Sequence, residues 1–236
     1  MNLTGSVALV TGANRGLGAR LVAELLRAGA AKVYATSRTG AATAGGDPRV
    51  QPLRLDITDP ASVAAAAEAA PDVTVLVNNA GVLAFGSALT GDLTAFERDL
   101  GTNYLGTLRV TRAFAPVLER NTPAAIVNVL TLLALAPAGP MAGYCASKAA
   151  AHSITQALRA ELGDRGITVV GAYPGGIDTD MLAGVDVDKA PPEVVAERIV
   201  ASLVAGQTTV FPDDASARAG SVYLSDPLQL ERMLAG

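Results

Sequence analysis

Apolar residues along this chain gather in short unbroken runs, separated by polar and glycine-rich breaks. Seven runs read as β-strands: Val7–Val10, Lys32–Thr36, Val50–Leu55, Val73–Val77, Ala125–Leu130, Thr168–Tyr173 and Thr208–Phe211. A strand wetted on one face alternates apolar and polar residues. Runs without that alternation predict strands covered on both faces, as in a parallel sheet. Helical stretches lie between them: Gly16–Arg27, Pro60–Ala69, Leu93–Glu119, Tyr144–Leu162 and Pro192–Val204. Asp59-Pro60 and Pro191-Pro192 are good helix openings, because proline at the first helical position gives up no needed donor. Alternation of strand and helix, joined by right-handed crossovers, predicts an α/β fold: a doubly wound parallel sheet of about seven strands with helices on both faces. A ligand then belongs at the carboxyl ends of the strands, near the point where strand order reverses. No internal repeat, long linker or charge block divides the chain, so residues 1–236 are expected to form one domain. The segment Asp213–Gly236 is expected to pack as short helices against the sheet edge and to be available for a subunit contact.

Composition narrows the classes. Half of the 236 residues are hydrophobic, enough for a large core. No apolar run reaches the roughly 18 to 20 residues of a membrane span. The opening MNLTGSVALVTG has no basic segment ahead of an apolar one, which predicts no signal peptide and a cytoplasmic location. The single cysteine, Cys145, forms no internal disulfide and suits a reducing compartment. A net charge of −4 without a basic run argues against nucleic acid or an anionic membrane as partner. The single histidine, His152, excludes a zinc site built on several histidines. It also leaves a Ser-His-Asp hydrolase only a histidine set among small helix residues.

The first strand ends in VTGANRGLGARL, where Gly12, Gly16 and Gly18 are spaced G-x3-G-x-G between a strand and an amphipathic helix. Glycine there lets the backbone turn tightly and approach a pyrophosphate, while the helix start offers free N–H groups. A plain tight turn would use the same residues; the strand–loop–helix context favours the phosphate reading. The second strand ends VYATSRTG, with Ser37 and Arg38 where an acid would hold the adenosine ribose diol, and Arg15 lies inside the glycine loop. Two guanidinium groups and a hydroxyl suit a 2′-phosphate better than a diol, so NADP(H) is expected over NAD(H). Arg38 as one more solvated surface arginine is the plainer alternative, and Gly45-Gly46 adds only flexibility.

These motifs belong to an ordered set: TGANRGLG, LDIT at 55–58, NNAG at 78–81, TNYLG at 102–106, YCASK at 144–148 and PGGIDT at 174–179. The chain resembles the short-chain dehydrogenase/reductase family, a single-domain Rossmann-like fold of about 250 residues, over nearly its whole length. The resemblance implies a dinucleotide-binding and catalytic domain in which Gly12, Gly16, Leu17 and Gly18 cradle the cofactor phosphates. It implies that Asp56 and Ile57 border the adenine, that Asn79, Ala80 and Gly81 border the adenosine ribose, and that Pro174, Ile177 and Thr179 hold the nicotinamide carboxamide. Tyr144 would be the acid/base, Lys148 its partner, and Asn103 the holder of a relay water. The family's catalytic serine falls at Thr131, a departure. Homodimers or homotetramers, built on the long helices around Leu93–Glu119 and Tyr144–Leu162, are also implied.

The residue types fit that chemistry. A carbonyl receiving hydride develops negative charge on oxygen and needs a proton. A tyrosine with its ordinary pKa near 10 serves better if an ammonium stabilises its phenolate. Tyr144 and Lys148 are i and i+4 and share a helix face, which predicts that the lysine lowers the tyrosine pKa. Threonine offers the same donor and acceptors as serine with a stiffer χ1, so its hydroxyl is either aimed at the substrate oxygen or replaced there by its methyl. Asn103 is a poor mid-helix residue, which suggests either a functional kink or a helix N-cap. Leu83, Phe85, Leu132, Leu133, Met141, Met181 and Leu182 are expected around the substrate, under a short mobile loop at about 180–191. None of these seven is charged, which points to an uncharged ketone, aldehyde or secondary alcohol. Reduction of a C=C or C=N bond, and a non-catalytic NADP-sensing or scaffold protein, remain as other readings.

Overall fold

The computed structural model of this chain describes residues 1–40 and 46–234; Gly45 lies outside them. Its sheet holds seven parallel strands: β1 (Val7–Val10), β2 (Lys32–Ser37), β3 (Val50–Arg54), β4 (Val75–Asn78), β5 (Ala124–Val129), β6 (Ile167–Ala172) and β7 (Thr209–Val210). They lie in the order β3-β2-β1-β4-β5-β6-β7, so the chain reverses direction across the sheet between β1 and β4. Each expected strand is present, with its ends moved by one or two residues, within the ordinary latitude of helix and strand boundaries.

Alternate residues of the central strands explain why they read as continuous apolar runs. Ala8, Val10, Val75, Val77, Ala125 and Val127 face one layer, made by α1 (Gly16–Arg27) and α6 (Pro192–Val204). Leu9, Leu76 and Ile126 face the other, made by α2 (Pro60–Ala69), α4 (Thr107–Arg120) and α5 (Ala142–Leu162). The exception is β3, where Gln51, Pro52 and Arg54 are exposed and no residue is fully buried. It is an edge strand, the one place where a proline fits a sheet.

The stretch expected as one helix over Leu93–Glu119 is interrupted. A regular α3 (Leu93–Asp99) passes into a π-helical segment, Leu100–Gly106, before α4 begins. The π segment carries Asn103 and so answers the question of kink or cap: Asn103 lies in mid-segment, not at a helix start. Such bulges free one backbone turn and concentrate at functional sites. The C-terminal segment forms α7 (Asp214–Ser225), capped reciprocally by Asp213 and Ser216, and α8 (Pro227–Leu234). Leu230 of α8 is buried against Leu132 and Ala219, so this hairpin of helices supports the loop that follows β5.

Beneath the carboxyl edge, a polar network ties two strands to two helices. The Asn78 amide donates to Thr111 Oγ1 (3.0 Å) and to Asn128 Oδ1 (2.9 Å), and the Asn128 amide donates to Thr155 Oγ1 (2.9 Å). All four side chains are buried. Removing one partner of a buried hydrogen bond leaves the other desolvated, at about 1–3 kcal/mol. Asn128→Ala should therefore lower unfolding stability by about that amount, read as a lower urea midpoint with an unchanged slope. An unchanged midpoint would show that the network is passive filling.

Candidate active site

A cleft of about 750 Å³ opens at the carboxyl ends of β1, β4, β5 and β6. It spans the glycine loop, the end of β2, Tyr144, Lys148 and the segment 174–188. At its centre the first crossover meets the fourth strand. Gly12 has φ 64° and Gly16 φ 53°, both in the left-handed region that favours glycine. A Cβ at Gly18 would stand 2.2 Å from the Gly12 carbonyl oxygen and 2.6 Å from Asn79 Nδ2, so no side chain fits there. Thr11 Oγ1 accepts from the Asn79 and Ala80 amides (2.9 and 3.0 Å), and Asn79 Nδ2 donates to the Thr11 and Gly12 carbonyls (2.9 and 3.2 Å). Asn79 thus braces the loop, and Thr11, the residue before Gly12, is a partner that the glycine spacing does not announce. Helix α1 starts here with no side-chain cap on its first N–H groups. A tight glycine cradle with free amides fits the diphosphate of a dinucleotide.

The loop's flanks are arranged as follows. Ser37 is buried, with Oγ 3.4 Å from Thr39 Oγ1, while Arg38 is exposed; both line the cleft. The Asp56 carboxylate accepts from the Thr58 amide (2.9 Å) and hydroxyl (2.6 Å), which hold it below the usual carboxylate range. Ile57, Ala80, Gly81 and Leu17 also line the cleft. Pro174 accepts from the Leu132 amide (3.0 Å), and Ile177 bridges Ala190 to close the neck of the loop 178–190. Thr179 packs on Gly16. Arg15 does not stand free for a phosphate: its Nη1 lies 3.0 Å from Asp180 Oδ2.

Tyr144 and Lys148 lie on one face of α5, both buried and both in the cleft wall. The start of α5 is packed hard on α3, for a Cβ at Gly143 would fall 2.3 Å from the Phe96 ring. Lys148 Nζ donates to the Val129 carbonyl at 2.8 Å and sits 5.9 Å from the Tyr144 ring centroid. Burial pulls the lysine down to about 8. Lys148 is not among the groups that set the Tyr144 phenol's shift in this arrangement. Burial instead pushes the Tyr144 phenol up, and the Thr131 hydroxyl is the neighbour that opposes the shift by hydrogen bonding. The physical reason is that Lys148 is turned to a backbone carbonyl and itself resists carrying charge. Thr131 is buried just beyond β5, and its Oγ1 also accepts weakly from the Leu133 amide (3.3 Å). The Thr131 hydroxyl and the Tyr144 phenol thus share one wall of the cleft.

Asn103 is buried beside this pair. It accepts from the Val82 amide (2.9 Å) and donates to the Val82 carbonyl (2.8 Å) and to Ser147 Oγ (2.9 Å). Ser147 passes the link to the Tyr144 carbonyl (2.7 Å). One turn before, the fully buried Asp99 accepts from the Ala84 amide (3.0 Å). Asp99 is placed by the geometry alone, its only sequence signal being helical spacing from Asn103, while Ser147 lies within the YCASK motif without having been singled out. Two expectations for the substrate side need correction. Leu83, Leu132, Leu133, Met141, Met181 and Leu182 line the cleft, but Phe85 is 55% exposed and stands outside it, because the segment turns at Gly86 onto Pro140. The lining is also not free of cations: Arg98 reaches it, paired with Asp99 (3.4 Å). His152 is committed to Tyr173 (2.7 Å), and no metal-binding cluster occurs among the described residues. No helix there is long and apolar enough to cross a membrane.

Comparison with known proteins decides the family. The family model described as short chain dehydrogenase matches residues 6–190. The chain belongs to the short-chain dehydrogenase family. Among curated relatives of this short-chain dehydrogenase, the short chain dehydrogenase pigC of Monascus ruber is 34% identical over 224 residues, covering 84% of this chain and 74% of its own. A 3-oxoacyl-[acyl-carrier-protein] reductase FabG of Vibrio cholerae is 35% identical over 190 residues, with 77% of each covered. A short chain dehydrogenase from Burkholderia cenocepacia, solved in complex with NADP, superposes with a TM-score of 0.94 at 39% identity over 100% of both chains. One from Burkholderia phymatum, solved with NAD, shares the fold at a TM-score of 0.83 and 23% identity, over 97% and 96% of the two chains. The chain is thus an oxidoreductase of a family that uses nicotinamide cofactors.

The buried lysine makes a prediction that separates function from stability. Its folded pKa, about 8, is below its unfolded value of 10.5, so the charged form is disfavoured by folding. The penalty is full below pH 8 and is relieved as pH rises from about 8 to 10.5. Lys148→Met should abolish turnover yet raise unfolding stability at pH 7 by up to about 3 kcal/mol, with the gain shrinking toward pH 10. Equal destabilisation at both pH values would contradict this reading of the site.

Proposed function

We propose that this dehydrogenase is an NADP(H)-dependent carbonyl reductase or alcohol dehydrogenase acting on a small, largely apolar carbonyl or secondary alcohol. The observation that carries the reading is the convergence of the Tyr144 phenol, the Thr131 hydroxyl and the Lys148 ammonium on one buried wall of the cleft. When bound, the nicotinamide supplies or accepts the hydride. Tyr144 delivers a proton to the carbonyl oxygen as negative charge develops there, and burial keeps its phenol protonated beforehand. Thr131 donates a hydrogen bond to the same oxygen, the role of an oxyanion-hole donor. Lys148 offers the cation that offsets the phenolate left behind. Asn103 positions the helix start through Ser147 and the strand end through Val82, so that the wall does not drift. The apolar lining from Leu83, Leu133, Met141 and Met181 excludes water and favours a carbon-rich substrate.

Preference for NADP(H) is supported by what surrounds the end of β2. Ser37 and Arg38 line the cleft there, no acidic side chain stands at either position, and Arg15 lies across the glycine loop. The Burkholderia cenocepacia protein, which carries NADP, agrees with this choice.

The test is turnover. Purified protein should oxidise NADPH faster than NADH with a panel of apolar ketones and aldehydes. Thr131→Ser should keep most of the activity, and Thr131→Ala should lose about 10²–10³-fold in kcat, the usual effect of deleting an oxyanion donor. Full activity in Thr131→Ala would remove the threonine from the mechanism, and NADPH binding without turnover on any carbonyl would sink the reductase reading.

A further inference from the structure

The loop over the substrate side is tied down at two places. At its neck, Ala190 N donates to the Gly176 carbonyl (2.8 Å) and Asp178 N to the Ala190 carbonyl (3.0 Å). At its front, among the described residues, the one ion pair is Arg15 with Asp180 at 3.0 Å. Between those ties Met181, Leu182, Val185, Val187 and Asp188 line the cleft, and most of the segment is exposed. Both partners of the front tie are themselves exposed, with 71% and 73% of their side-chain surface open to water. Asp180 opens a one-turn 3₁₀ helix that carries Met181 and Leu182, so a change at Asp180 is passed directly to the apolar lining.

Arg15 therefore has two claimants. One is a carboxylate of the loop. The other, on the NADP(H) reading above, is the 2′-phosphate. A phosphate monoester carries between one and two negative charges near neutral pH and three acceptor oxygens, so it outcompetes one exposed carboxylate for a guanidinium fork. An exposed ion pair of this kind is weak and yields easily. We infer that Asp180 is a specificity-determining residue that acts through Arg15: it holds the guanidinium until a 2′-phosphate takes it, and the front tie of the loop is released by NADP(H) but not by NAD(H). The inference rests on the NADP(H) reading. It adds that the same carboxylate which anchors the loop weakens the 2′-phosphate site, and that the two cofactors leave the loop differently tethered.

A double-mutant cycle tests it directly. Calorimetric titration of NADPH and NADH into wild type, Asp180→Asn, Arg15→Gln and the double variant, each with its thermal midpoint checked, gives eight dissociation constants. Asp180→Asn should tighten NADPH by about 1.5- to 5-fold, the value of one exposed ion pair, and leave NADH unchanged. In the Arg15→Gln background the Asp180→Asn effect should vanish. Raising the salt should shrink the NADPH effect, because exposed pairs are screened. Equal tightening of NADPH and NADH, or an Asp180→Asn effect that survives without Arg15, would show a general charge effect on the diphosphate and overturn the inference. If Arg15→Gln weakens NADPH while Asp180→Asn does nothing, the NADP(H) reading stands and this inference alone fails. If Arg15→Gln leaves NADPH untouched, Arg15 is no phosphate ligand and the inference falls with that part of the NADP(H) reading.

Discussion

The cleft is organised around one buried cation that the rest of the fold must hold in place at a cost. Lys148 has been taken out of water at the carboxyl end of β5, where a single backbone carbonyl, that of Val129, receives its ammonium. An isolated ammonium in such a place is unfavourable, and the lysine responds by giving up its proton more readily than in water. The fold holds the arrangement because α5 cannot slide. Gly143 is pressed on the Phe96 ring, Asn128 grips Thr155, and Ser147 is fastened through Asn103 to the loop after β4. A charge kept where it costs stability, next to a phenol that burial also keeps neutral, is the arrangement that the proposed proton transfer calls for.

The second constraint is the crossing at the switch between β1 and β4. The doubly wound topology makes the two chain directions diverge there, leaving a crevice. Asn79 fills its floor and braces the glycine loop, so the cradle at Gly12 and Gly18 is fixed by the strand that follows in space, not by the next in sequence. Thr179 and Asp180 then approach the same loop from beyond β6. Cofactor and substrate sides of the cleft are thus in contact through residues 15–16 and 179–180, which is where recognition of one can alter the shape offered to the other.

Much of this was legible in the sequence. The apolar runs marked all seven strands because both sheet faces are covered. The edge strands broke the rule: no residue of β3 is fully buried, and Thr209 of β7 meets solvent. The motif residues of the glycine loop, NNAG, YCASK and PGGIDT segments come to one cleft as their order implied. What could not be read was direction. Sequence spacing put Lys148 on the face of Tyr144 but did not say that its ammonium turns to Val129. The sequence after β4 did not show that Phe85 turns outward or that Arg98 of α3 turns in. The π-helical turn at Asn103 was foreshadowed only by an asparagine in a helical stretch, and the Arg15–Asp180 pair joins residues far apart in the chain. Periodicity reports the covering of elements; it does not report which rotamer a side chain takes against a neighbour brought by the fold.

On the proposed mechanism, burial holds Tyr144 neutral, and the Lys148 ammonium offsets its phenolate once the cofactor is in place. The most direct measurement is an ultraviolet difference titration of tyrosine ionisation in wild type and Tyr144→Phe, each with and without saturating NADP⁺. The chain has five tyrosines and no tryptophan, so subtracting the variant isolates Tyr144. The Tyr144 signal should lie above the ordinary tyrosine range without NADP⁺ and move to lower pH with it. A Tyr144 signal that stays in place, or rises further when NADP⁺ binds, would contradict it.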